Sequence, residues 1–128
     1  MNIHLLEMPL DFGASRHGSD MGPSAIRLAG IKERLESLGH TISNHSDIFS
    51  VSPQEYEEAG NPKAKYLKPI TKACTSLAQR VESICSEGDF PLILGGDHSI
   101  ALGSIAGAAG FAKKQNKKIG VLYVDAHG

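Results

Sequence analysis

The sequence predicts an α/β protein, three layers deep with a mostly parallel sheet, forming a single domain over residues 1–128. Three observations carry that expectation. Two apolar runs, Pro91 to Leu94 and Ile119 to Val124, lack polar alternation, as strands do when helices cover both faces of a parallel sheet. A stripe of Ile70, Cys74, Leu77, Val81 and Ile84, spaced four, three, four and three residues apart, has the period of a helix with one buried face. The order strand, helix, strand, helix, strand, joined by short connections, implies right-handed crossovers within one sheet.

Composition narrows the function classes. A chain of 128 residues can bury roughly two thirds of its unfolded surface, enough for its own core. With 41% hydrophobic residues, 21% charged and a net charge of -1, no electrostatic footprint for nucleic acid or a membrane surface is present. Aromatics at 5%, with no Trp, argue against base-stacking platforms and aromatic-anchored interfaces. No apolar run approaches the roughly 20 residues of a membrane helix, and the N-terminus lacks a basic segment with an apolar block, so a cytoplasmic location is expected. Cys74 and Cys85 share one predicted helix, which holds them more than ~15 Å apart and excludes a disulfide between them.

In chain order, Asn2 to Met8 reads as a first strand that ends at the Pro9–Gly13 break, with His4 in a structural role. Gly13 to Gly22 is a polar, glycine-rich loop expected to rim a pocket; it has no phosphate-binding signature. Pro23 suits a helix start, and Ala25, Ile26, Leu28, Ala29, Ile31, Leu35 and Leu38 continue one helix to a stop at Gly39. His40 to Phe49 reads as an edge strand on which His45 and Asp47 face solvent. Residues 50–66 read as a surface loop with a turn of helix. A helix from Pro69 to Gly88 follows, then the strand Pro91 to Leu94, then a helix from Ser99 to Lys114. In that last helix Gly103, Gly107 and Gly110 each cost about 1 kcal/mol relative to Ala, which implies close backbone packing.

Both apolar runs deliver an acid and a histidine: Gly95-Gly96-Asp97-His98 after one, Asp125-Ala126-His127 after the other. Ligands in parallel sheets collect at the carboxyl ends of strands, where both pairs fall. If the last strand persists, Asp125 and His127 point to one side with Cα atoms roughly 6 to 7 Å apart. They can then reach one metal or two neighbouring metals, and His98 can converge on the same point. A carboxylate and imidazole set suits Mn²⁺ or another first-row divalent ion, Zn²⁺ included. The competing reading has a buried Asp capping the next helix and histidines simply hydrogen-bonded.

Gly95-Gly96-Asp97-His98-Ser99 followed by Asp125-Ala126-His127 resembles the paired signature of the ureohydrolase family, the arginases and agmatinases. Gly22-Pro23-Ser24-Ala25-Ile26-Arg27 resembles the family's Gly-Pro segment, and Ala14 to Gly39 is most similar to bacterial arginases. The resemblance implies an arginase-like fold holding two manganese ions, with His98 on one, Asp125 bridging both and His127 on the other. Asp97 would orient the loop or the imidazole from behind. It also implies hydrolysis of L-arginine to L-ornithine and urea, by hydroxide held between the metals.

The family pattern continues with an aspartate two residues after the last His and a later aspartate-rich segment. Its proton-shuttling histidine and guanidinium-binding acid also lie further on. None of these falls within the 128 residues, so the expectation is the N-terminal portion of an arginase-like domain, truncated at the C-terminal side and inactive alone. No catalytic residue beyond the metal ligands is expected here. An agmatinase or other ureohydrolase is the alternative enzyme reading. A non-catalytic fragment that self-associates through an unpaired edge at Ile119 to Val124 is the other, and a homo-oligomer is expected.

Overall fold

The computed structural model describes residues 1–45, 55 and 59–125. Its elements are β1 (Asn2–Met8), a 3-10 turn (Ser19–Met21), α1 (Gly22–Leu28), α2 (Ile31–Ser37), β2 (Thr41–His45), β3 (Gly60–Asn61), β4 (Ala64–Lys65), α3 (Leu67–Ser86), β5 (Phe90–Gly95) and α4 (Ile100–Lys114). The main sheet is parallel with order β2-β1-β5, and β3 and β4 form a small antiparallel hairpin. No helix among the described residues is long and apolar enough to cross a membrane.

β1 is central because its residues are apolar on both faces: Ile3, Leu5, Leu6 and Met8 are all buried. Its Leu5 sits opposite Asn44 on one side and Leu92 on the other. The connections leave β1 toward β2 and then return past it to β5. Right-handed crossovers therefore place α1 and α2 on one face and α3 on the other, which gives three layers. The reversal creates a crevice outside the carboxyl ends of β1 and β5, where ligands bind in such sheets.

α3 buries Ala73, Leu77, Val81 and Ile84 against Leu6, Met8, Leu10 and Phe12, and Pro69 is buried in its first turn. Each fully buried aliphatic side chain contributes about 1.5–3 kcal/mol, so this one stripe anchors the helix. Ile70 and Cys74 of the sequence stripe are half-buried instead, since that flank of the helix turns toward α4. The small residues of α4 explain themselves there. A Cβ on Gly103 would stand 2.7 Å from the Cys74 carbonyl oxygen, and one on Gly107 2.5 Å from that of Ala78. Both cysteines are free.

Three expectations change. The helix from Pro23 to Leu38 is two helices, because Gly30 takes φ 84°, a left-handed conformation that ends α1 and starts α2 afresh. Its apolar positions are largely exposed, Leu28 at 84%, and only Pro23 is buried. Second, His45 does not simply face solvent; it bonds to His4 and Arg80, while Asp47 lies outside the described residues. Third, Ile119 to Val124 forms no strand. Leu122 is 91% and Val124 89% exposed, and none of the run's side chains is buried. A strand apolar on both faces is stable only between two layers, and without them the ladder has nothing to hold it in place.

Candidate metal centre

β5 ends at Gly95 in the crevice, and the next three residues turn sharply into α4. The turn is possible because Gly96 has no side chain: a Cβ there would meet the Leu10 carbonyl oxygen at 2.1 Å. Asp97 is then pinned from two directions. Its backbone N–H donates to the Leu10 carbonyl at 2.8 Å, and its carboxylate accepts the Gly13 N–H at 2.7 Å and the Ser99 N–H at 2.8 Å. The Ser99 hydroxyl donates to the same carboxylate. Asp97 thus ties the end of β5, the loop after β1 and the entry of α4 into one piece, and leaves His98 projecting from a fixed loop.

His98 is 65% exposed at the mouth of a cavity of about 280 Å³ lined by Gly95, Gly96, Asp97, His98, Ile100, Ala101, Tyr123 and Val124. Its Nε2 lies 3.6 Å from Asp125 Oδ1, and the Tyr123 ring sits 6.0 Å from the imidazole between centroids. The two expected ligands at 98 and 125 are therefore brought together at the mouth of one cavity.

His127 lies outside the described residues, as do Ala126 and Gly128. The expectation that Asp125 and His127 share one side of a strand therefore rests on residues outside the described ones. Asp125 comes to His98 from an irregular segment instead. The Asp97 carboxylate takes the Ser99 N–H just before α4.

The residues present fit a cation. Two donors on one ion, each at about 2.1 Å, stand roughly 3 to 3.5 Å apart, close to the separation of His98 Nε2 and Asp125 Oδ1. An imidazole nitrogen with a carboxylate oxygen is a donor set for a first-row divalent ion.

Two buried acids escaped the sequence reading. Asp11 is 2% exposed, and its Oδ2 lies 3.0 Å from His17 Nδ1 and accepts the Gly18 N–H at 3.2 Å. Glu7 on β1 is buried and paired with Arg27 of α1. The signal for Asp11 was its position, an acid just past an apolar strand at the sheet edge that carries Asp97. Together these contacts shape the Gly13 to Gly22 loop, which backs the Gly95-Gly96 turn and does not line the cavity.

The fold and site define a parallel α/β protein with an acid and histidine donor set at the carboxyl edge of its sheet. A profile of the Arginase family matches residues 1–128, and the chain belongs to that family. It is 49% identical to an arginase of Brevibacillus brevis over 127 residues, covering 99% of this chain and 41% of that protein. An arginase of Bacillus caldovelox is 43% identical, with 98% and 41% covered. Among solved structures, the native arginase from Bacillus caldovelox at pH 5.6 superposes with a TM-score of 0.77 at 43% identity, covering 85% of this chain and 36% of that one. The arginase from Bacillus cereus gives 0.75 at 42% identity, covering 86% and 35%. The chain thus spans about 41% of the length of these curated relatives.

Proposed function

We propose that this chain supplies one wall of a dinuclear manganese site for hydrolysis of L-arginine to L-ornithine and urea, in the cytoplasm and within a homo-oligomer. The observation that carries the reading is the 3.6 Å approach of His98 to Asp125 at the cavity mouth, in a chain of the Arginase family. His98 and Asp125 would hold the ions together with His127, and Asp97 would fix the loop from which His98 projects. Bound manganese would supply a water of lowered pKa and a positive field for the charge that develops during hydrolysis.

Three donors are few for two ions, so these 128 residues alone should bind manganese weakly and release no urea. Incubating the purified chain with arginine and manganese tests this, and urea release would overturn it. Calorimetry tests the ligands separately: His98→Ala should weaken manganese binding, and unchanged binding would remove His98 from the site. A second reading, a non-catalytic chain that self-associates, is favoured by the exposed Leu122 and Val124. Metal-independent oligomers in solution would support it.

A further inference from the structure

At the other end of the sheet, on the order of 20 Å along β5 from His98, four side chains form an unbroken line. Arg80 Nη2 on α3 is 2.8 Å from His45 Nδ1 on β2. His45 Nε2 is 2.9 Å from His4 Nδ1 on β1, and His4 Nε2 is 3.0 Å from Asp89 Oδ2 where the chain enters β5. The two rings are 10° from parallel with centroids 5.1 Å apart, which with a 2.9 Å contact places them edge to edge, as an in-plane N–H···N bond requires.

The ends of this line fix the protons between them. A guanidinium only donates and an ionised carboxylate only accepts. His45 Nδ1 must therefore accept, so the neutral ring carries its proton on Nε2 and gives it to His4 Nδ1. His4 in turn carries its proton on Nε2 and gives it to Asp89. One arrangement satisfies all four groups, with both imidazoles neutral. A second proton on His45 would face the Arg80 donor, and one on His4 would face the His45 donor.

We infer that this line is a proton-operated latch: it ties edge strand β2 to β1, α3 and the start of β5 while His45 is neutral, and opens when His45 takes a second proton. The charged and titratable groups that face it among the described residues are Arg80, Glu87 and Asp89, besides the two rings themselves. Burial holds the His45 pKa below its ordinary value, helped by Arg80 and His4 and opposed by Glu87. The unfolded chain therefore takes up the proton first. Latch stability is full above the unfolded pKa near 6.5 and is lost as pH falls toward the lower folded value. Donor atoms of His4, Glu87 and Asp89 lie within 4.8 Å of one another, the composition of a cation site. The latch excludes a cation, because the His4 Nε2 position carries a proton.

Nitrogen NMR of the imidazoles in the whole chain at pH 8 should show both rings protonated on Nε2. Amide exchange over residues 41–45, corrected for intrinsic rate, should accelerate as pH falls from 7.5 to 5.5. His45→Gln, whose amide can donate to His4 but cannot titrate, should flatten that response, and Arg80→Met, which removes a cause of the lowered His45 pKa, should shrink it. A proton on Nδ1 of either ring, an unchanged response in both variants, or Zn²⁺ binding at pH 8 that Asp89→Asn abolishes would overturn the latch.

Discussion

The seam between α3 and α4 and the run from Ile119 to Val124 are both built from small and aliphatic residues. At the seam, Gly103 and Gly107 bring one helix backbone against the other, and Leu77 and Val81 are sealed beneath. In the run, Leu122 and Val124 lie in solvent. Apolar character sets what a segment gains from burial; a partner surface decides whether the gain is realised.

That contrast can be broken or sharpened by substitution. Leu77→Ala should destabilise the chain by about 3–5 kcal/mol, since a fully buried side chain leaves a cavity, and a urea melt would show it as a lower midpoint. Gly107→Val should cost about 2–3 kcal/mol, because its Cβ would stand 2.5 Å from a carbonyl oxygen that belongs to a helix. An unmoved midpoint would mean the seam is not closed. Asp97→Ala should cost about 1–2 kcal/mol by stripping the Gly13 and Ser99 N–H groups of their acceptor, with faster amide exchange at those two positions as the specific sign. Leu122→Ser should change stability by less than about 0.5 kcal/mol while reducing any self-association measured by sedimentation.

Much of the fold was legible because its signals are local. The α3 stripe, the α4 glycines and the Gly39 stop, where φ is 85°, all follow from periodicity or backbone freedom within a few residues. What stayed hidden depends on partners remote in sequence. Gly30 reads equally as a helix residue or a break, and only its φ of 84° decides. The partners of His45 come from β1 and α3, 41 and 35 residues away. The candidate site's residue types, Asp97, His98 and Asp125, stood out in the sequence, but the contact that pins Asp97 to Gly13 spans 84 residues.

One side chain at the back of the site has a use of its own. The Cys74 thiol donates to the Ser99 carbonyl at 3.2 Å, and burial pushes its pKa up. A protonated, engaged thiol is a poor nucleophile, so alkylating reagents should react slowly with Cys74 while the loop from Asp97 to Ser99 holds its place. The chain therefore carries an internal chemical clock for that loop: the rate at which Cys74 is labelled reports, without any added probe, how often the loop that presents His98 lets go.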